Sequence, residues 1–91
     1  MKPRFSSSVI VATTGADLAL AAADEDPRIF LARHFSGDWG DMPDEDKRTN
    51  DRSLVTKSML MSSYSLKDGV IIWIITDPGH QTTTILLPQD Y

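Results

Sequence analysis

The apolar run VIIWII, within residues 70–76, lies between two tight-turn signals, and this restricts the fold more than any other feature of the chain. The string KDG at 67–69 precedes the run and DPGH at 77–80 follows it, and Asp-Gly and Pro-Gly pairs are typical of tight turns. The flanking segments 58–66 and 82–87 are also rich in β-branched and aromatic residues. We therefore predict three strands joined by two short turns, which makes an antiparallel meander.

The middle strand of this meander is apolar on both faces. Alternate residues of a strand point to opposite sides. One face therefore carries Val70, Ile72 and Ile74, and the other carries Ile71, Trp73 and Ile75. A layer of helices accounts for one apolar face. The second face needs cover from the N-terminal segment or from a second copy of the chain, and the sequence leaves both alternatives open.

Helix-start signals occur three times before the meander. Thr14 is a good N-cap for a helix over 15–23, and Asp26-Pro27 pairs a capping residue with a proline at the first helical position of a helix over 27–35. Met42-Pro43 begins a third predicted helix over 43–53, with acids in its first turn and bases later, as the helix dipole favours. The residues expected to be buried in these helices, or just beyond the last one, are Leu18, Ala21, Ala22, Ile29, Phe30, Leu54 and Val55.

The N-terminal residues are harder to interpret. Residues 1–13 are serine-rich and then apolar, and they could form a short edge strand or an ordered arm. The other alternative is that residues 1–8 are flexible. The predicted architecture is α+β: residues 1–91 form one two-layer domain, with a helical N-terminal half packed on a C-terminal three-stranded antiparallel β-meander.

Composition excludes several function classes. The 91 residues contain no cysteine, so disulfides and thiolate metal sites are excluded. The net charge of −4 argues against direct nucleic-acid binding, which needs basic residues to neutralise phosphates. No apolar stretch approaches the ~20 residues of a membrane span, and the apolar run near the N-terminus is too short for a signal peptide. We expect a cytoplasmic protein with no membrane association and no cofactor.

The segment RHFSGDWGDMPDEDKRTND, residues 33–51, crowds a histidine, a tryptophan and several carboxylates together. One interpretation is a small metal-dependent or acid–base hydrolase, centred on His34, Asp38 and Asp41, with His80 as a further metal ligand. The other is a protein-binding surface in which Trp39 is an anchor and the acids steer a basic partner. The predicted partner-binding residues are Asp38, Trp39, Asp41, Asp44, Glu45 and Asp46. A buried Trp39 that only closes the domain is the structural alternative.

Several strings in fixed order carry a resemblance. They are LARH and GDWGD at 31–41, Glu45-Asp46 with Asn50, SYSL at 63–66, IWIIT at 72–76 and TTILLP at 83–88. Over residues 12–91 the chain resembles a family of small proteins from bacterial plasmids, integrated elements and phages. It departs from that pattern at 77–81, where DPGHQ replaces the acidic-Arg-Ser turn of such proteins.

The resemblance implies an accessory protein of a mobile genetic element. We predict a non-enzymatic protein that binds and modulates a larger protein complex. The specific version is an anti-defence inhibitor, of the anti-CRISPR or anti-restriction kind, whose acidic surface meets a basic nucleic-acid-binding effector. The hydrolase is the alternative, and a homodimer through the outer face of VIIWII is a third hypothesis.

Overall fold

The computed structural model describes residues 2–91. In chain order, three α-helices follow the first strand of a four-stranded sheet and precede the second. The elements in chain order are β1 (Val9–Ala12), α1 (Thr14–Ala22), α2 (Pro27–Phe35), α3 (Asp44–Thr56), β2 (Leu60–Ser65), β3 (Ile71–Thr76), β4 (Thr82–Leu86) and a short 3-10 helix at Pro88–Asp90. The predicted α+β class is confirmed. No helix in the described part of the chain combines the length and the apolar character needed to cross a bilayer.

The strand order is β1-β4-β3-β2. The neighbours β2, β3 and β4 pair antiparallel, and β1 pairs parallel with β4, with Val9 opposite Thr82. The predicted antiparallel meander is present as β2, β3 and β4, but the predicted sheet of three strands is incomplete, because β1 adds a fourth strand in parallel and the helices follow this strand. The sequence alone does not decide this, because β1 is a four-residue strand without alternation, and its partner lies at the other end of the chain.

The helix starts follow local chemistry closely. Helix α2 spans the predicted residues, and the Asp26 carboxylate accepts a hydrogen bond from the Arg28 amide at 2.9 Å. Helix α1 begins one residue earlier than predicted, because Thr13 and not Thr14 is its cap and accepts from the Ala16 amide at 3.1 Å. Helix α3 continues beyond the predicted end to Thr56.

The core lies between α1, α2 and the inner face of the sheet. Its buried members are Ala16, Leu20, Ala23, Phe30, Tyr64, Leu66, Ile72, Ile74 and Ile85. The predicted buried faces were wrong at three large side chains, because Leu18 is 66% exposed, Ile29 60% and Val55 85%. Helix α1 reads LALAA over residues 18–22, and its alanines on every side leave no amphipathic pattern to identify the inner face.

The outer face of β3 is covered only in part. Strand β1 extends the sheet beside β4 and does not cross this face. The ring of Tyr91 instead meets Trp73 edge-on, with centroids 6.0 Å apart. Ile75 is buried, whereas Ile71 is 45% exposed. A homodimer through this face stays a prediction, which a mass measurement in solution tests.

The segment before β1 is attached to the domain at several points. The Arg4 amide donates to the Phe35 carbonyl at 2.7 Å, and the Val9 amide donates to the Gln81 carbonyl at 2.9 Å. Between them the Phe5 ring contacts four other rings, those of His34, Phe35, Trp39 and His80. This arm, residues 4–8, therefore packs along one end of the sheet.

Candidate functional site

Residues 39–41, from the crowded segment, lie along the outer edge of β2. The Asp41 amide donates to the Ser63 carbonyl at 2.7 Å, and the Ser63 amide donates to the Trp39 carbonyl at 3.2 Å. Gly40 between them has φ +68°, and a Cβ there would collide with the Ser63 carbonyl. The second glycine of GDWGD is therefore required because the two backbones approach closely.

Asn50 covers the same edge one step further along. Its side-chain nitrogen donates to the Met61 carbonyl at 2.7 Å, and its oxygen accepts from the Met61 amide at 3.2 Å. The side chain thus imitates the peptide group of a neighbouring strand. Since unpaired edges invite unwanted strand pairing, residues 39–41 and Asn50 protect β2.

Trp39 is buried, with 3% of its surface exposed. Its indole nitrogen donates to the Asp51 carboxylate of α3 at 3.0 Å. Its ring stacks on the Phe5 ring, with 6.4 Å between the centroids. Of the two alternatives for Trp39, the structure has the buried one. An exposed hot-spot role would require this region to open.

Asp38 forms an ion pair with Arg33, at 2.7 Å between Nε and Oδ2. The hydrogen bond from Arg33 holds the pKa of the Asp38 carboxyl below its usual range, and the Gly40 amide contributes. The Arg33 guanidinium also lies over the Tyr64 ring, 4.6 Å from its centroid. Burial raises the pKa of Tyr64 to about 12, and its hydroxyl donates to the Asp38 backbone carbonyl. These contacts fasten the loop after α2 to β2.

His34 is fully buried and lies at the centre of a hydroxyl network. Nδ1 lies 2.5 Å from Ser62 Oγ, and Nε2 lies 2.9 Å from Thr76 Oγ1. The network continues through hydroxyl groups. Thr76 Oγ1 lies 2.7 Å from Thr83 Oγ1, which in turn lies 2.6 Å from Ser7 Oγ. Burial lowers the pKa of His34 to about 3, so the ring is neutral at physiological pH. Because each member has a partner, the network specifies how α2, the sheet and the arm fit together.

The residues of the hydrolase interpretation are not brought together. The ring nitrogens of His34 are engaged by hydroxyls of the sheet, Asp38 is paired with Arg33, and Asp41 accepts from Ser65 at 3.1 Å. His80 donates from Nε2 to the Ser58 carbonyl. Residues 2–91 contain no group of three or more His, Asp or Glu side chains arranged to hold a metal ion. His34, Asp38 and Asp41 therefore do not converge on a common point as an acid–base pair or a ligand set.

The acids at the start of α3 are placed differently. Asp44, Glu45 and Asp46 are all exposed, and among the described residues none of their side chains has a hydrogen bond or ion pair. Beside them runs a groove of about 190 Å³. It is lined by Met42, Asp46, Thr49, Asn50, Met59 and Met61. We call this region the acidic methionine groove.

Sequence reasoning missed the hydroxyl network and the groove. The first had a signal, because Ser62, Thr76 and Thr83 fall on the strand positions that otherwise carry inner-face apolar residues. Polar residues at such positions indicate buried hydrogen bonds. The groove had no comparable signal, because Met42 precedes α3 whereas Met59 and Met61 lie around the start of β2, and the two segments meet only in the folded chain.

No family model matches this chain, and comparisons with curated proteins and with solved structures also find no match. The resemblance to small mobile-element proteins therefore stays a prediction.

Proposed function

We propose that this protein is a non-enzymatic binding module that engages a basic surface of a larger protein through the acidic methionine groove. The observation that carries the proposal is the combination of three unpaired carboxylates with an apolar groove at the same end of α3. Interfaces commonly have this arrangement, with an apolar centre and a charged rim.

The charges supply long-range attraction. The helix dipole stabilises acidic side chains in the first turn, but three adjacent carboxylates also repel one another. A basic partner relieves this repulsion, and the negative charge steers that partner toward the start of α3. The chain as a whole carries 13 acidic and 9 basic residues, which favours the same partner class.

The groove supplies the anchor. The side-chain nitrogen and oxygen of Asn50 both form hydrogen bonds with the Met61 backbone, so the floor of the groove is fixed. The methionine side chains, in contrast, are flexible and adapt to different apolar groups. Met59 is 43% exposed and forms an accessible wall. The fitting ligand is an apolar side chain flanked by lysine or arginine on the partner.

The resemblance to mobile-element proteins gives the proposal a biological setting. In this setting, the protein acts in the bacterial cytoplasm as an accessory factor. Its partner is a host-defence effector whose nucleic-acid channel is basic. Occupying that channel would block nucleic acid without any catalytic group or cofactor. The separate structural contacts of His34, Asp38 and Asp41 favour binding over hydrolysis.

Affinity capture from a bacterial host, with mass spectrometry, tests the proposal. The double variant Glu45→Lys/Asp46→Lys should lose a nucleic-acid-binding partner that the unmodified protein retains, and that partner should dissociate as salt is raised. Its matched control is Asp17→Lys/Asp77→Lys, which also raises the net charge from −4 to zero by changing exposed acids elsewhere. Equal retention by both double variants, or salt-insensitive capture, would contradict the proposal.

A further inference from the structure

A second cleft lies away from the acidic methionine groove and has the opposite charge. It measures about 400 Å³ and is walled by the arm, the end of α3 and the turn at 77–81. Its polar lining comes from Arg4, Ser6, Ser8, Lys57, His80 and Gln81, and none of the described residues that line it is acidic. In a chain with net charge −4, a cleft with two cations, an imidazole and no carboxylate is a local reversal of sign.

The two cations of this cleft have no hydrogen-bond or ion-pair partner within the described residues. Neither the Arg4 guanidinium nor the Lys57 ammonium forms a hydrogen bond or ion pair. His80 uses Nε2 for the Ser58 carbonyl at 2.8 Å, which leaves Nδ1 without a partner. The arginine side chain lies against Gly37, where a Cβ would come within 2.9 Å of its Cδ.

The backbone supports these side chains in conformations that such residues rarely adopt. Among residues 2–91, three non-glycine residues have positive φ, and two of them, Lys57 at +57° and His80 at +59°, line this cleft. Lys57 ends α3 at the position that glycine normally takes. A lysine there costs stability, and strained residues of this kind tend to cluster at functional sites.

The walls are also fixed to one another. The Gly79 amide donates to the Lys57 carbonyl at 2.8 Å, so the turn is attached to the end of α3. The Val9 amide, just after the arm, donates to the Gln81 carbonyl. The cleft is therefore formed before any ligand arrives, which lowers the entropic cost of binding.

From this geometry we propose that the cleft binds the phosphate group of a small phosphorylated molecule. Arginine matches phosphate oxygens with paired donors, lysine adds a point charge, and serine hydroxyls and the glutamine amide complete a donor-rich lining. The volume lies within the range of small-molecule sites. A single cleft on a net acidic protein suits one phosphate group better than the run of phosphates along a nucleic acid.

The test is an NMR titration of the ¹⁵N-labelled full chain with sodium phosphate at constant pH, against sodium chloride of equal ionic strength. Phosphate should shift the amides of Ser6, Gly79 and Gln81 saturably, and chloride should not. Adenosine monophosphate is the second arm: tighter binding than phosphate identifies a nucleotide, and equal binding identifies recognition of the phosphate alone. Equal shifts with chloride, or binding of a short DNA oligonucleotide without binding of either phosphate ligand, would overturn the proposal.

Variants separate the site from general charge effects. Lys57→Gly removes the cation and the backbone strain together, so it should melt at a higher temperature than the unmodified protein yet bind phosphate about tenfold more weakly. Arg4→Gln should weaken binding without that stabilisation. Arg48→Gln, which removes an exposed cation of α3 outside the cleft, is the matched control and should bind as the unmodified protein does. Unchanged affinity in both Lys57→Gly and Arg4→Gln would rule the site out.

Discussion

Asn50 pairs through its side-chain amide with both the amide and the carbonyl of Met61 on the edge strand β2. A helix residue thus completes a strand's hydrogen bonds. Together with residues 39–41 it protects one edge of the sheet.

Replacing Asn50 by alanine should therefore be costly. The substitution leaves the Met61 amide and carbonyl unpaired beneath α3, and we expect the free energy of unfolding to fall by about 2 kcal/mol. Urea denaturation followed by circular dichroism measures this. Thr49→Ala, at the exposed neighbouring position, should change it by no more than about 0.5 kcal/mol. Similar losses in the two variants would refute the edge-protection role.

His34 should make stability depend on pH. Burial is the main cause of its lowered pKa, about 3 against 6.5, and His80 contributes less. Between those values the unfolded chain binds a proton that the folded protein excludes. The free energy of unfolding should then be highest above pH 6.5 and fall on acidification, by up to about 1.4 kcal/mol per pH unit until pH 3.

Denaturant unfolding at pH 7.5, 6, 5 and 4.5 measures this slope. His34→Gln cannot titrate and should flatten the curve even if the variant is less stable throughout. His80→Asn, which leaves His34 in place, should keep the slope. A curve that His34→Gln leaves as steep as before would show that another group is responsible.

Trp39 should be shielded from solvent. In a Trp73→Phe background its fluorescence should be blue-shifted and resist quenching by iodide, because the ring is 3% exposed and bonded to Asp51. Trp73 is the natural comparison, since it lies half-buried on the outer face of the sheet. We expect more quenching in the Trp39→Phe protein. Red-shifted, readily quenched emission from Trp39 would restore it as a candidate surface anchor.

Adjacent residues of α2 should differ sharply. Phe30→Ala removes a buried ring that packs on Tyr64 at 5.5 Å between centroids, and should cost about 3–5 kcal/mol. Ile29→Ala, at a position 60% exposed, should cost about 0.5 kcal/mol or less. Thermal denaturation of the pair decides which residue faces the core.

Local chemistry made part of this structure predictable. Asp26-Pro27 determined where α2 begins, and the turns at 67–69 and 77–80 determined the order of β2, β3 and β4. These features depend on residues that are neighbours in the chain. The sequence therefore contains the whole signal for them.

The unpredicted parts depend on residues far apart in the chain. Strand β1 is defined by its pairing with β4, and the buried face of α1 is chosen by the sheet beneath it. The partners of His34 lie on two strands, at Ser62 and Thr76. The sequence alone predicts the carboxylates of α3 as a candidate surface. The methionines beside them became visible as a groove only in the fold.

The parallel pairing of β1 with β4 also affects the folding pathway. Nearly the whole chain separates Val9 from Thr82, so this contact has one of the longest loop closures in the domain. During synthesis β1 leaves the ribosome long before its partner, with three β-branched apolar side chains and no strand to join. We expect β1 to dock last, to slow the final folding step, and to be the segment that chaperones meet on the nascent chain.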